Sequence, residues 1–147
     1  MNEALNILIS VDERHVQNML QGIKTVELRR RSIPTPSGSW VWIYSKVPIG
    51  EVCAFGIVDK VIEAPPSEIW DTYGKVSGIT AAEFNRYFQS KETGCAIVFS
   101  SIQRLQQNIS LDLLRSKLTA FHPPQFFKHL AADSKELALF KKQVSFT

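Results

Sequence analysis

Cysteine and histidine are scarce in this sequence, and their positions are unsuited to a disulfide framework or a metal site. Cys53 and Cys95 each lie inside an apolar, strand-like run, which indicates reduced core residues of a cytosolic protein. A structural zinc site needs several sulfur or histidine ligands at short spacing. The histidines are instead scattered, at His15, His122 and His129. The sequence therefore predicts no metal site.

Long apolar stretches are also missing. No run approaches the roughly 20 consecutive apolar residues that a membrane-spanning helix requires. The first residues, Met1-Asn2-Glu3, lack the basic and apolar regions of a signal peptide. Both absences predict a cytoplasmic protein with no membrane partner.

Sequence motifs of common catalytic and cofactor sites are absent as well. Four hydroxyl side chains are candidate nucleophiles (Ser10, Thr25, Ser45 and Ser77), but no nucleophile-elbow or catalytic-histidine pattern surrounds them. No glycine-rich loop is present that could hold phosphates. We therefore expect no cofactor, and the sequence favours a binding role over catalysis while leaving catalysis open.

The bulk composition is that of one globular domain. A chain of 147 residues can bury a full core, and a content of 44% hydrophobic and 21% charged residues argues against disorder. The net charge of +3 is compatible with a polyanionic partner but does not require one. We expect a single domain over residues 1–147.

The order of hydrophobic patterns predicts an α+β fold. A short apolar run at 5–9 predicts a buried strand, and the helix that follows should end at Gly22. Further strands are predicted at 40–44, 51–62 and 95–102, and a helix is predicted to start at Pro123-Pro124. Strands and helices do not alternate as in a doubly wound fold. A small curved sheet or barrel with flanking helices therefore fits best.

One eight-residue segment concentrates charge more than any other. It carries four cations and one carboxylate, namely Lys24, Glu27, Arg29, Arg30 and Arg31. Arginines can fork onto phosphates, and Glu27 could hold Arg29 or accept a hydrogen bond from a base amino group. The alternative is a solvated strand edge whose cations discourage aggregation. The spacing alone slightly favours this alternative.

An aromatic stripe follows at a spacing of two residues, formed by Trp40, Trp42 and Tyr44. Nucleobases stack on such surfaces, although alternating large aromatics more often line a core or cover a helix. Ser45 and Lys46 end the same predicted strand. They could add a hydroxyl and a cation to the mouth of a pocket.

The pattern Gly22-x-Lys24-x-x-Glu27-x-Arg29 resembles the motif of the ASCH family, a branch of the PUA-like superfamily. The resemblance continues to about Leu130 through the segments 7–10, 43–48, 50–64, 69–74, 77–79, 84–88 and 123–127. It implies a PUA-like small mixed β-barrel with flanking helices and a cleft lined by the motif. It also implies a domain core at about 4–130 and a C-terminal helical extension at 131–147.

The resemblance further implies RNA or a modified nucleotide as the ligand, with a role in RNA metabolism or regulation. That implication raises the binding interpretation of the charged segment above the solvated-edge alternative. The predicted contact residues are Ser10, Lys24, Glu27, Arg29, Arg30, Arg31, Trp40, Ser45 and Lys46. Many relatives carry a basic residue soon after the first strand, where this chain has Asp12, and this difference can narrow the range of ligands.

Enzymatic relatives define the alternatives. Some small ASCH proteins are amidohydrolases of acylated cytidine that use a Lys, a Thr three residues later and a downstream Glu. Here Lys24 matches, but Glu27 takes the place of the Thr, and the position of the downstream carboxylate falls near Ser77. Ribonuclease activity is ascribed to another member. If the chain is an enzyme, Lys24 and Glu27 would form its active pair; a third possibility is a protein-interaction or transcription-coregulator module that docks an acidic partner.

Overall fold

The computed structural model describes residues 3–145, which form a six-stranded sheet and five α-helices. The strands are β1 (Asn6–Val11), β2 (Val26–Arg29), β3 (Trp40–Ser45), β4 (Glu51–Ala64), β5 (Gly94–Ser110) and β6 (Lys128–His129). The helices are α1 (Glu13–Leu20), α2 (Pro66–Tyr73), α3 (Ala81–Tyr87), α4 (Leu111–Lys117) and α5 (Lys135–Lys141). Within this part of the chain, no helix has the length and apolar character needed to cross a bilayer.

The sheet is mixed, with the strand order β2-β5-β4-β3-β1-β6. Only the β1–β3 pair among these strands is parallel, and the other neighbours are antiparallel. The two longest strands, β4 and β5, form its centre, and their register shifts at several bulges. Since a bulge bends the strand that carries it, these irregularities favour a curved sheet.

A side-chain contact shows how far the sheet curls. Three strands separate β2 from β1 in the sheet order, so a flat sheet would place them roughly 19 Å apart at the usual strand spacing of about 4.8 Å. Nevertheless, Arg29 Nη2 on β2 donates a hydrogen bond to Ser10 O on β1 at 3.1 Å. The sheet therefore curls into a half-barrel, with a gap between β1 and β2.

Alternating side chains divide the core between the two faces of this curled sheet. Ile7 and Ile9 of β1 pack in one cluster with Val16 and Met19 of α1. Leu8, between them, faces a second cluster that contains residues of α4 and α5. A third cluster joins β2 to α2 and α3. Because successive strand residues point to opposite faces, the sheet is covered by helices on both sides, as an α+β barrel-like fold requires.

The predicted α+β architecture is confirmed, and the helix predicted from Pro123-Pro124 is wrong. The chain there forms no regular helix and leads into β6, which pairs with β1. Its backbone carbonyls accept hydrogen bonds from other elements, Pro124 O from Ser10 and Phe126 O from Arg29. These tertiary partners replace the helical hydrogen bonds that the sequence pattern led us to expect. β5 also extends to Ser110, eight residues beyond its predicted end at residue 102.

The C-terminal extension contains one helix, α5. Ser134 is its N-cap, and the side-chain oxygen accepts a hydrogen bond from Leu137 N. Leu137 and Phe140 are buried against the sheet in the second core cluster. The last two residues of the predicted extension, 146–147, lie outside the described residues.

Candidate functional site

A cavity of about 460 Å³ opens beside the gap between β1 and β2. Its size is within the range of small-molecule binding pockets. The lining residues come from the end of β1, from α1, from the 24–30 segment, from the end of β3 and from α3. They are Ser10, Val11, Asp12, His15, Lys24, Glu27, Leu28, Arg29, Arg30, Lys46, Ile79, Glu83, Arg86 and Tyr87.

The end of α1 determines where Lys24 lies. Gly22 has a φ of +79°, the left-handed conformation that glycine adopts without strain. After this reversal, the backbone nitrogens of Ile23 and Lys24 both donate to Asn18 O, at 2.9 and 3.0 Å. The chain then enters β2 with the Lys24 side chain turned inwards, and Lys24 is only 2% exposed.

The Lys24 ammonium is held by polar atoms on two sides. Nζ donates to Ser77 O at 2.8 Å and lies 3.9 Å from Glu27 Oε1. Gly78 leaves room for this side chain, since a Cβ at that position would lie 3.3 Å from the Lys24 Cβ. Burial lowers the pKa of Lys24, Glu27 partly opposes this effect, and Arg29 adds to it. The fold thus keeps a cation at the wall of the cavity against a desolvation cost.

Each nitrogen of the Arg29 guanidinium has a protein acceptor. Its Nε and Nη2 lie 2.9 and 2.6 Å from Glu27 Oε2, Nη2 also donates to Ser10 O, and Nη1 donates to Phe126 O at 3.5 Å. Arg29 therefore fixes the Glu27 carboxylate and joins β2 to β1 and to the C-terminal segment. Glu27 Oε1, by contrast, has its lysine partner beyond hydrogen-bond distance and can accept from a ligand.

Two ion pairs flank the mouth of the cavity. Lys46 Nζ lies 3.5 Å from Asp12 Oδ1, and Arg14 forks onto Glu83, with Nη2 donating to Oε1 at 2.8 Å. Arg14 and then Thr80, through hydrogen bonds, lower the pKa of Glu83 to about 2. Asp12 occupies the N-cap position of α1 without making a side-chain capping hydrogen bond. Its carboxylate is therefore part of the rim of the cavity.

Arg30 and Arg86 are exposed cations at the same mouth. Among residues 3–145, neither has a carboxylate within salt-bridge distance. The Arg30 guanidinium lies over the Tyr87 ring, 4.8 Å from its centroid, and the Tyr87 hydroxyl donates to Leu28 O at 3.2 Å. The aromatic ring thus orients Arg30 while its charge stays available for a phosphate.

His15 also lines the cavity, half-buried in the first turns of α1. Its Nδ1 is enclosed by the protein and has no hydrogen-bond partner in the described structure. Burial, followed by the charge of Lys24, lowers the pKa of His15, whereas Glu27 raises it. The imidazole is therefore neutral near pH 7.

The cavity brings together six of the nine predicted contact residues, namely Ser10, Lys24, Glu27, Arg29, Arg30 and Lys46. Arg31 instead lies over the Phe126 ring, at 4.2 Å. Trp40 is partly buried and stacks on Phe55 of the second core cluster, with centroids 4.6 Å apart, and Ser45 is buried in β3. The aromatic stripe is thus part of the packing on the other face of the sheet.

The sequence interpretation missed the contributions of His15 and of α3. In the sequence, His15 has no histidine or cysteine near it that would mark it as part of a site. The α3 residues Glu83, Arg86 and Tyr87 follow the spacing i, i+3, i+4, which places them on one helical face. That spacing is visible in the sequence, but it does not reveal that the face meets the 24–29 motif.

Known structures with the same architecture identify the class of fold. A crystal structure of ASCH from Zymomonas mobilis superposes with a TM-score of 0.85, at 24% identity, over 93% of this chain and 95% of that one. A serine-to-alanine mutant of that protein gives a TM-score of 0.84 over 95% of this chain and 97% of the mutant, also at 24% identity. The N-terminal domain of Staphylothermus marinus McrB matches with a TM-score of 0.59 at 9% identity, over 98% and 99% of the two chains. The fold is therefore α+β and PUA-like.

Sequence comparison narrows the assignment. An ASCH domain-containing ribonuclease from Zymomonas mobilis is 29% identical over 130 residues, which cover 88% of this chain and 86% of the relative. No family model matches the chain. This similarity, the shared architecture and the Gly22-to-Arg29 motif all agree with the resemblance to the ASCH domain family.

Proposed function

We propose that this protein is an RNA-binding module whose cavity receives one nucleotide unit of a single-stranded segment. The observation that carries the proposal is the buried cation at the cavity wall. Lys24 is 2% exposed and its pKa is lowered by burial. A charged group kept in such a place is typical of functional sites. Its side chain is in contact with the cavity.

The charges of the rim support an anionic ligand. Arg30 and Arg86 are exposed and have no carboxylate partner in the described chain, and Lys46 is about half exposed beside Asp12. Arginine and lysine at a rim can bind phosphates, while the enclosed donors and acceptors can distinguish a base. The ASCH domain-containing ribonuclease similar to this chain adds support for RNA as the polyanion.

Binding to a short single-stranded oligoribonucleotide would test the proposal. We expect Arg30→Gln and Arg86→Gln each to weaken binding several-fold and to reduce the slope of log K against log salt by about 0.7, the value for one lost phosphate contact on a single strand. Lys60→Gln is the matched control, because Lys60 is an exposed cation on β4 away from the cavity. Absence of binding, or binding that is insensitive to salt and to both arginine changes, would contradict the proposal.

RNA cleavage is the second candidate function. It is favoured by the name of the similar Zymomonas mobilis protein, a ribonuclease, and by the pairing of Lys24 with Glu27 inside the cavity. A buried ammonium can stabilise negative charge that develops on a phosphate. We expect end-labelled RNA to be cleaved by the wild-type protein and left intact by Lys24→Met purified in parallel. Intact RNA with the wild-type protein at high concentration would exclude cleavage.

The proposed ligand also suggests a location and a competing partner. An RNA-binding role fits the cytoplasm, and an acidic protein could dock on the same exposed arginines. Fractionation of cells would test the location. A protein partner retained after nuclease treatment of an affinity-purified sample would favour a protein-docking role over RNA binding.

A further inference from the structure

The two ring nitrogens of His15 have different surroundings. Nδ1 is enclosed by protein atoms and has no partner. Nε2 forms no hydrogen bond with the described chain and is not among the enclosed unpartnered atoms, so it is accessible. Because the residue lines the cavity, this accessible nitrogen is the polar atom that His15 offers to a ligand.

This asymmetry determines the tautomer. Nδ1 lacks a partner in either tautomer, but a buried N–H without an acceptor is rarer in proteins than a buried acceptor without a donor. The neutral ring therefore carries its hydrogen on Nε2. The imidazolium form would need a hydrogen on both nitrogens, and so the enclosure of Nδ1 also opposes the cation.

The charged groups around His15 come from three segments. Asp12 and Arg14 flank it on or beside its own helix, Lys24 follows that helix, and Glu27 lies on β2. Lys24 and Arg14 disfavour the cation while Glu27 and Asp12 favour it, and burial is the largest effect. The neutral ring is thus a hydrogen-bond donor without a net charge.

We propose that His15 is a specificity-determining residue, whose Nε2–H donates to a carbonyl oxygen or ring nitrogen of the nucleobase that enters the cavity. The inference rests on the proposed RNA-binding function. A neutral donor has no charge to attract a phosphate, and the Glu27 carboxylate in the same cavity would repel one. Glu27 Oε1 can accept from a base amino group or ring N–H. His15 and Glu27 thus form a donor and an acceptor for the base, while Arg30 and Arg86 remain for the backbone.

Heteronuclear NMR of the histidine nitrogens, without any ligand, tests the first part of this proposal. That part states that His15 is neutral and carries its hydrogen on Nε2. We expect the His15 signals to show the Nε2–H tautomer and to titrate below the ordinary histidine pKa of about 6.5. Exposed His122, which does not line the cavity, is the internal reference for the tautomer signals. A Nδ1–H tautomer, or titration at the ordinary value, would overturn the inference.

RNA-binding measurements test the second part of the proposal, that His15 donates a hydrogen bond to a base. The probes are short homopolymeric oligoribonucleotides and a base-free ribose phosphate chain of the same length. We expect the wild-type protein to bind its preferred homopolymer more tightly than the base-free chain, and His15→Phe to reduce that preference by about 3- to 10-fold, as for one lost hydrogen bond. His15→Gln, whose amide can place a donor near the Nε2 position, should restore most of it, and His122→Phe should change nothing.

The outcomes separate this inference from the function on which it rests. If the wild-type protein binds none of the probes, the proposed function fails, and the inference fails with it. If it binds RNA but His15→Phe keeps the full preference for bases, only the inference fails. If His15→Phe instead reduces the salt dependence and weakens the base-free chain equally, His15 contacts phosphate, and the inference is overturned.

Discussion

The Lys24 ammonium is buried at a desolvation cost that a neutral side chain would not have. The ammonium has one close hydrogen bond, to Ser77 O. Glu27 is different, because its carboxylate serves both Lys24 and Arg29. The two members of this buried pair should therefore contribute unequally to stability.

This difference gives a prediction for Lys24→Met and Glu27→Gln. Lys24→Met removes a buried charge and leaves Glu27 paired with Arg29, so the free energy of unfolding should stay unchanged or rise by about 1 kcal/mol. Glu27→Gln leaves two cations without a counter-charge and should lower it by about 3–5 kcal/mol. Urea denaturation measures both. A loss with Lys24→Met as large as that with Glu27→Gln would indicate that Lys24 is primarily a structural residue.

At the scale of single residues, the sequence motif located the wall of the cavity. It could not show which arginine binds protein atoms and which can bind a ligand. The spacing of Lys24, Glu27 and Arg29 places them on one wall. It cannot show that Arg29 donates hydrogen bonds to Ser10 O and Phe126 O, because these acceptors belong to residues 19 and 97 positions away in the sequence. Nor can it show that Arg30 has no such protein acceptor within residues 3–145 and can bind a ligand.

At the scale of single elements, helix α3 supplies part of the cavity wall, so its stability should affect the cavity. Thr80 and Glu83 form a reciprocal capping box at its N-terminus, and the same helix presents Arg86 and Tyr87 to the cavity. The helix has only seven residues, so loss of the cap should destabilise the whole helix and with it the positions of Arg86 and Tyr87.

Thr80→Ala and Ser134→Ala form a matched pair of cap removals. Each deletes a side-chain oxygen that accepts from the backbone of the first turn, and each should lower the free energy of unfolding by about 1 kcal/mol. Only Thr80→Ala should also weaken RNA binding, since α5 does not line the cavity. Equal effects of the two variants on binding would contradict the assigned role of α3.

Elements with local signals were predicted best. The glycine that ends α1 is such a signal, because Gly22 adopts the left-handed conformation at the helix end. The segment 121–127 misled the sequence interpretation because its conformation depends on distant hydrogen bonds to Ser10 and Arg29. The end of β5 was likewise hidden, because its second half is held by the antiparallel ladder with β4 rather than by a continuous apolar run.

At the scale of the whole molecule, Arg29 links the two sides of the curled sheet. It contacts β1, its own strand and the C-terminal segment at once. A lysine would keep the charge, but it has a single nitrogen and lacks the planar guanidinium that donates to Glu27, Ser10 O and Phe126 O together.

We therefore expect Arg29→Lys to lower the free energy of unfolding by about 2–4 kcal/mol, the range for lost buried charge-assisted hydrogen bonds. Amide exchange should accelerate first in β6 and in the chain that precedes it. Arg31→Lys is the control, because Arg31 lies over the face of Phe126 and has no ion pair within residues 3–145. Equal stability losses for the two variants would contradict this role of Arg29.

The gap that Arg29 bridges has a mechanical consequence. Neighbouring strands in this sheet are joined by ladders of backbone hydrogen bonds. β1 and β2 are not neighbours, and the Arg29 guanidinium links them across the gap. We therefore expect the half-barrel to open more easily along this gap than between any two paired strands, and the gap lies beside the cavity. A molecule that fills the cavity should then change the curvature of the sheet as well as the width of the cavity.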